Sequence, residues 1–436
     1  MIIGFSCQNY RSINEHQNIL FTASKKNDEG YTLSTTAVRE KVLPITALYG
    51  ANGSGKTNLL MAISFAIQFI KRSAKKDLEG SKIPHFKLEE RCNDSPQEFI
   101  IDFIKNNTHY QFGFSILGDE VVEEWLYSFS YVNRASKSLL FHRDEREKNI
   151  YQFGKRLKGS NSAIAKITNK HSLFLSVAAK SNHDFLKSFV DYFNNQYLFR
   201  FELDITEESI AENIEKYKLE TEISDFISKV DVGAKGISII EIEIDEKQLE
   251  FRNKLSSSLR SIFSELDSDL KFRNTDIKHE KLIQISRETI SGETVQFNFS
   301  EESLGTKSLI SLLVIIFRAL KVGGVLVVDE IESSLHSLLS LKLVELFNNP
   351  LTNPNNAQLI FSTHETHLLN FVDVRRDQIW FTERCPNGAT HIAALYDYQV
   401  PKSSNLRNGY LNGKFGGIPF LNDFSVSSLF KKEQSL

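Results

Sequence analysis

The segment Gly50–Thr57 (GANGSGKT) has the residue types and spacing of a phosphate-binding loop. Glycines in such a loop let backbone N–H groups approach phosphate oxygens, and the dipole of the following helix favours the same anion. We expect Lys56 to neutralise the β- and γ-phosphates of a nucleotide and the Thr57 hydroxyl to bind Mg²⁺. The residues expected to contact nucleotide here are Gly50, Asn52, Gly53, Ser54, Gly55, Lys56, Thr57 and Asn58.

A second candidate site follows the apolar run Val325–Val328, which is typical of a buried parallel strand. The strand would present Asp329 and Glu330 at its carboxyl end. Asp329 is expected to hold the Mg²⁺ shell, and Glu330 to polarise an attacking water as a general base. Taken alone, a strand that ends in a solvated acidic turn explains these residues equally well.

Two further motifs lie at the ends of predicted elements. Ser303 and Gly305 open the predicted helix 308–320, and His364 follows the predicted strand Gln358–Ser362. Each has a simple alternative, since a serine is a common helix N-cap and a lone histidine after a strand is more often structural.

The elements around the glycine loop have the order that phosphate binding requires. An apolar strand, Leu43–Tyr49, leads directly into the loop, and Asn58–Ile70 has helical periodicity. This context disfavours a chance glycine-rich turn. The segments Glu98–Ile104, Tyr110–Ile116 and Trp125–Val132 then predict an accessory β-layer, and Ser172–Phe199, Thr206–Val230 and Gln248–Leu266 predict helices around a strand at Ile237–Ile244.

These motifs, together with Asn9–Ser12, Ser172–Ala179 and Tyr410–Pro419, resemble the ABC-type AAA ATPase family of prokaryotic abortive-infection and restriction-linked operons. RloA-like and AbiL-like proteins are members, and the SMC, RecF and overcoming-lysogenization ATPase heads are related. The resemblance implies an α/β fold: an ABC-type P-loop ATPase head with an antiparallel β-layer and an inserted, mainly helical module.

The resemblance also implies roles for individual residues. Ser303 and Gly305 would form the signature loop, which binds the γ-phosphate held by a second copy of the chain, and His364 would be the switch histidine. Glu330, His364 and Lys56 are the expected catalytic residues. Arg11 would lie by the nucleotide, although a surface arginine after a strand explains it nearly as well. A glutamine that senses the γ-phosphate is not placed, because Gln68 and Gln97 both fit poorly.

The predicted domain boundaries follow from this organisation. Residues 1–160 form an ATPase lobe with the glycine loop and the β-layer, 161–290 a mainly helical insertion for dimer or partner contact, and 291–400 a second ATPase lobe. Residues 401–436 form a tail whose Lys414 and glycines either contact a partner or close the domain.

Composition points to the cytoplasm. The 52 basic and 55 acidic residues leave a net charge of −3, which gives no global signal for nucleic acid, and the three scattered cysteines suit a reducing compartment. Neither a signal peptide nor a transmembrane segment is predicted, so a membrane is not an expected partner.

We therefore expect an ATP- and Mg²⁺-dependent hydrolase, which can be slow, whose head-to-tail dimer or higher oligomer senses a signal and regulates a separately encoded effector in anti-phage defence. By resemblance the effector would be a nuclease. The alternative is an SMC- or RecF-like ATPase of DNA repair or DNA-structure sensing, for which DNA would be a partner.

Overall fold

The computed structural model describes residues 1–24, 30–75, 83–131, 135–201, 206–230, 233–243, 279–370, 374–398, 400–401 and 404–418. Its strands are β1 (Ile2–Gln8), β2 (Gln17–Leu20), β3 (Ile45–Tyr49), β4 (Gln97–Lys105), β5 (Thr108–Leu117), β6 (Glu120–Ser130), β7 (Ser136–Asp144), β8 (Tyr151–Phe153), β9 (Tyr197–Arg200), β10 (Gly236–Glu243), β11 (His279–Glu288), β12 (Thr294–Asn298), β13 (Val325–Val328), β14 (Gln358–Ser362), β15 (Ile379–Arg384) and β16 (Thr390–Ala394). Its helices are α1 (Lys56–Arg72), α2 (Asn161–Ile167), α3 (Phe174–Lys180), α4 (Lys187–Gln196), α5 (Glu207–Tyr217), α6 (Glu220–Lys229), α7 (Leu304–Val322), α8 (Ser337–Phe347) and α9 (Leu406–Leu411).

A six-stranded sheet in the order β16-β15-β3-β14-β13-β9 forms the centre of the molecule. Its strands are parallel except for β16. Every residue of β3, β13 and β14 is buried, as expected for strands covered on both faces, which explains why their sequences are mostly apolar. Phe361 pairs with both Val328 and Ala47, so the carboxyl ends of these three strands meet at one edge.

A seven-stranded antiparallel sheet, β2-β1-β4-β5-β6-β7-β8, confirms the predicted β-layer. Along β4, buried residues largely alternate with partly exposed ones, the pattern of a sheet with one face in the core. Aromatic rings fill the space between this sheet and α1. The Phe114 ring stacks on Phe69 of α1 and on Phe99, and Phe99 in turn contacts Phe65 of α1. The phenylalanine-rich composition thus supplies core contacts at this interface.

The prediction of a helical segment at Ser172–Phe199 is wrong at its end. Helix α4 stops at Gln196, and Tyr197–Arg200 forms β9, which pairs in parallel with β13 at the edge of the central sheet. Tyr197 and Leu198 are buried there, and this burial of aromatic and aliphatic side chains overrides the helical pattern. The end of β9 thereby lies beside β13, the strand that leads to Asp329, and the Arg200 carbonyl accepts from the Asp329 N–H.

The remaining helices of the predicted 161–290 module flank two different sheets. Helices α3 and α4 share a hydrophobic core with α1 and the β-layer, whereas α5 and α6 pack near the three-stranded sheet β10-β11-β12. Thr206 caps α5 as its sequence suggests, because its side chain accepts from the Ser209 N–H. The predicted helix at Gln248–Leu266 lies outside the described residues. Among the described residues, none of the helices combines the length and apolar character that crossing a bilayer requires.

Serines of the Ser172–Ala179 motif hold the end of α1. The hydroxyls of Ser172 and Ser176 donate to the carbonyls of Ser73 and Ile70 at 2.5 and 2.6 Å, and Ser73 Oγ accepts from the Leu173 N–H at 3.2 Å. Carbonyls at a helix end lack partners within the helix, so these bonds satisfy groups that would otherwise be buried and unpaired. The motif thus fixes the helix that follows the glycine loop.

Glu124 in β6 anchors the same motif. Its carboxylate accepts from the N–H groups of Phe174 and Leu175 at 2.6 and 3.0 Å. Burial raises the pKa of Glu124 to about 7, although Arg143 and the two N–H groups act in the opposite direction.

This raised pKa predicts a pH-dependent stability. Since the folded-state pKa exceeds the unfolded value of about 4.5, the contribution of Glu124 to stability is lost as the pH rises toward 7. Between pH 5 and 8 the free energy of unfolding of the wild type should fall relative to Glu124→Gln, by on the order of 3 kcal/mol. Denaturant titrations of both proteins at several pH values measure this difference; parallel pH profiles would contradict it.

Candidate active site

The glycine loop joins β3 to α1 through conformations that side chains disfavour. Gly53 has φ 75° and Gly55 has φ 109°. A Cβ at Gly55 would also overlap the Thr390 side chain. Helix α1 begins at Lys56, directly after this turn, so its first N–H groups face the loop. The exposed residues Asn52 and Gly53 form the tip of the loop.

Side chains from distant parts of the sequence brace the loop. Ser54 Oγ lies 2.6 Å from Thr382 Oγ1, and Thr390 Oγ1 donates to the Ser54 carbonyl at 3.0 Å. Asn58 Nδ2 donates to Ser12 Oγ at 2.7 Å. Ser54 and Asn58 were predicted to contact nucleotide; in the structure their side chains bond to the neighbouring strand and turn. Their side chains therefore position the loop.

The Lys56 side chain folds back into the glycine loop. Its side chain is buried, and Nζ donates to the carbonyls of Gly50 at 2.8 Å and Ala51 at 3.3 Å. Burial lowers the pKa of Lys56, while the nearby carboxylates of Asp329, Glu330 and Glu332 act to raise it. The acids predicted from the second motif thus lie within electrostatic range of this amine.

Asp329 and Glu330 leave β13 in a tight turn. Glu330 has φ 48°, in the left-handed region that residues with a Cβ seldom adopt. Its N–H donates to Ser362 Oγ at 2.7 Å, and the same hydroxyl donates to Asp329 Oδ1. Ser362 ends the neighbouring strand β14, so two adjacent strands hold the acidic pair in place.

His364 lies two residues beyond Ser362, at the same edge. Its backbone N–H donates to Glu332 Oε1, and its side chain is solvent-accessible. Partial desolvation and the positive charge of Lys56 lower the pKa of His364, while Glu332, Glu330 and Asp329 act to raise it. The structure therefore brings Lys56, Asp329, Glu330 and His364 together.

Glu332 and Ser362 were missed by the sequence analysis. Glu332 Oε2 is buried and has no hydrogen-bond partner among the described residues. The only sequence signal for Glu332 was an acid two positions after Glu330. For Ser362 it was a hydroxyl residue two positions before His364.

Ser303 and Gly305 lie at the start of α7 and line a different cavity. Ser303 is exposed and caps the 19-residue helix α7 by accepting from the Thr306 N–H at 3.1 Å. Gly305 is close to the Ser334 carbonyl. Ser303 and Gly305 line a cavity of about 590 Å³ together with Arg287 and Phe297. Within the described residues, no hydrogen bond connects Ser303 or Gly305 to the glycine loop. The described lining of the cavity beside Ser303 and Gly305 also includes no residue of Gly50–Thr57.

Arg11 lies beside the glycine loop. It lines a cavity of about 410 Å³ with Gly53 and Asn58, and the exposed cations Lys87 and Arg384 line the same space. The backbone of Arg11 is left-handed, with φ 51°, and its N–H donates to the Pro84 carbonyl at 3.0 Å. This basic cavity adjoins the glycine loop. It lies on the side away from β13, the strand that leads to Asp329 and Glu330.

The segment 404–418 contacts the glycine loop and the segment that follows His364. Gly417 packs against Gly50, the first glycine of the loop, and Tyr410 Oη donates to the Gly417 carbonyl at 3.2 Å. Arg407 Nε donates to Thr366 Oγ1 at 3.1 Å, shortly after His364. The described part of the predicted tail therefore packs against these two loops.

Residues 45–370 match the model of a protein family described as "AAA domain, putative AbiEii toxin, Type IV TA system". The chain belongs to this family. It is an AAA/ABC-type ATPase head, with the parallel sheet, glycine loop and antiparallel layer described above. No curated protein matches the chain significantly in sequence.

Solved structures with a similar course of the chain are SMC heads. The SMC head bound to the C-terminal winged-helix domain of ScpA is 16% identical, with 90% of this chain and 97% of that chain covered and a TM-score of 0.40. The SMC head domain from Thermotoga maritima is 14% identical, with 90% and 98% covered and a TM-score of 0.39. Because both scores are low, the fold assignment depends on the family match and the observed topology.

The chemistry of this AAA-family site suits a Mg²⁺-bound nucleoside triphosphate. A buried ammonium and a helix N-terminus face the loop, both of which favour phosphate. The Thr57 hydroxyl and the Asp329 carboxylate are hard oxygen donors, the type of ligand that Mg²⁺ prefers. The residues present thus fit both groups.

Removal of the Lys56 ammonium should abolish ATP binding without unfolding the head. Within the part of the chain that the structure describes, the hydrogen bonds of Nζ go to carbonyls of its own loop, so Lys56→Ala should delete a charge expected to bind phosphate while the strands and α1 keep their packing. We expect at least about a hundredfold weaker binding of ATP by calorimetry, with an unchanged circular-dichroism spectrum. Tight ATP binding by the folded variant would refute the phosphate-binding role of Lys56.

Proposed function

We propose that this protein hydrolyses ATP to ADP and phosphate with Mg²⁺, and that two copies complete each other's sites head to tail. The convergence of Lys56, Asp329, Glu330 and His364 at the carboxyl edge of β3, β13 and β14 carries the proposal. In open α/β sheets, ligands bind at this edge. Ser303 and Gly305 line a cavity whose described residues include none of the glycine loop, as expected when a second chain supplies them.

The proposed roles follow from the chemistry of each side chain. The backbone of Gly50–Thr57 and the Lys56 ammonium bind phosphate, and Thr57 with Asp329 holds Mg²⁺. Glu330 accepts a proton from the attacking water, and His364 stabilises the γ-phosphate. Arg11, from the adjacent cavity, adds positive charge near the nucleotide. Ser303 and Gly305 present the N-terminus of α7 to the γ-phosphate held by the other copy.

Mixing two inactive variants tests this composite site. Lys56→Ala lacks the phosphate-binding amine, and Gly305→Asp places a negative charge at the signature loop. A mixed dimer would contain one intact site, with Lys56 from one chain and Gly305 from the other. We expect ATPase activity to reappear on mixing. If the two sites turn over independently, each mixed dimer should hydrolyse ATP at up to about half the rate of a wild-type dimer.

The same mixture distinguishes the alternative. If Lys56 and Gly305 acted within one chain, no combination of the two variants would regain activity. A mixture of Lys56→Ala with Lys56→Met is the matched control, because neither chain then supplies the amine and activity should stay absent.

We further propose that the ATP-dependent dimer, in the cytoplasm, senses a signal and regulates a separately encoded effector, a nuclease, in anti-phage defence. The description of the matched family names a putative toxin of a type IV system, which supports a role in a two-component operon. ATP suits such a switch, because the γ-phosphate would contact both chains and its loss would weaken the interface.

Glu330→Gln provides both a kinetic test and a bait. The amide keeps the shape of the side chain but cannot accept the proton of water, so kcat should fall about a hundredfold or more while ATP binding persists. The variant should therefore accumulate as an ATP-bound dimer, which size-exclusion chromatography with and without ATP detects. Normal turnover would refute the general-base role.

The bait experiment uses tagged Glu330→Gln and wild type in cells that carry the native operon. A co-purifying protein encoded in that operon, enriched by the trapped dimer, is the expected result. Recovery of DNA alone, released by salt, would contradict the effector proposal and favour a DNA-sensing ATPase.

A further inference from the structure

Ser362 contacts both acids of the proposed active site. It is fully buried at the carboxyl end of β14, between β3 and β13. Its Oγ accepts from the Glu330 N–H at 2.7 Å and donates to Asp329 Oδ1. Its carbonyl accepts from the Ile331 N–H at 3.2 Å. One residue therefore binds three consecutive positions of the acidic turn.

The number of protons that each group carries determines which group donates in these hydrogen bonds. A serine hydroxyl has a single proton, and an ionised carboxylate can only accept. Because Ser362 Oγ accepts from the Glu330 N–H, its own proton is available to Asp329 Oδ1. The bond to a carboxylate is of the stronger, charge-assisted kind, so it restricts rotation of the Asp329 carboxylate.

The same hydroxyl supports an unfavourable backbone. A left-handed conformation at a residue with a Cβ costs about 1 kcal/mol or more, and it persists only where surrounding contacts determine it. At Glu330 those contacts are the bond to Ser362 Oγ and the bond from the Ser333 N–H to the Glu330 carbonyl at 2.8 Å. The backbone angle sets the direction in which the Glu330 side chain leaves the sheet.

We propose that Ser362 is a positioning residue that sets the orientation of the metal-binding acid and of the general base together. The inference rests on the proposed function for the roles of Asp329 and Glu330. Ser362 itself contacts neither nucleotide nor water in this scheme. Its hydroxyl couples the two acids, so that its loss should disturb metal binding and proton transfer at once.

The first test needs no nucleotide. In Ser362→Ala, amide exchange at residues 329–331 of the ligand-free protein should become about fivefold faster, because the Glu330 N–H loses its acceptor. Ser340→Ala is the matched control: Ser340 is also buried, but its hydroxyl has no partner among the described residues. Hydrogen–deuterium exchange by mass spectrometry measures both. Unchanged exchange at 329–331 in Ser362→Ala would overturn the inference.

The second test separates positioning from support of the fold. Ser362→Ala should lower kcat about tenfold or more with little change in KM for ATP, and should raise the Mg²⁺ concentration needed for half-maximal rate. Ser340→Ala should change neither. Faster exchange with unaltered kcat and Mg²⁺ dependence would show that Ser362 only stabilises the turn, which overturns the positioning role.

Failure of the proposed function gives a different result. If the wild type does not hydrolyse ATP, that function is refuted. The inference is then decided by the Mg²⁺ dependence of binding of a non-hydrolysable ATP analogue, which Ser362→Ala should shift and Ser340→Ala should not. An equal Mg²⁺ dependence in both variants would overturn it.

Discussion

The parallel register of β3, β14 and β13 is the constraint on which the rest of the site depends. Three loops, each from a distant part of the sequence, meet because Ala47, Phe361 and Val328 lie side by side. This arrangement places a buried ammonium near several carboxylates, and their negative charges act against the penalty of burying the ammonium. A shift of one residue in the pairing would move every side chain of a strand to the other face and would separate these groups.

Strand pairing does not determine the conformation of the loops themselves. Side chains from both ends of the chain hold that conformation. Thr382 and Thr390 of β15 and β16 contact Ser54, and Ser12 contacts Asn58. The segment 404–418 adds contacts to Gly50 and to the loop after His364. Gly50 and Gly55 are therefore required for more than flexibility, since Thr382 and Thr390 occupy the space that side chains at these positions would fill.

Local patterns were sufficient to predict the glycine loop, its flanking strand and helix, and the strand before Asp329. Each is a continuous stretch in which apolar residues and chemical groups have fixed spacing. The edge strand β9 was missed because Tyr197–Arg200 continues a helical segment, and only pairing with β13 makes it a strand. Ser362 and Glu332 were missed for a related reason: their partners are about thirty residues away in sequence, and no local pattern encodes that contact.

In the proposed mechanism, the N-terminus of α7 acts on a phosphate held by the other copy of the chain. Ser303 and Gly305 at that terminus line a cavity whose lining, in the described part of the chain, contains no residue of the glycine loop. Stabilisation of the γ-phosphate would then depend on dimer formation, and dimer formation on the γ-phosphate. By linkage, ATP strengthens the interface by the same factor by which the interface strengthens ATP binding. A partner protein that favours one state of the dimer would therefore change nucleotide turnover without contact with the nucleotide.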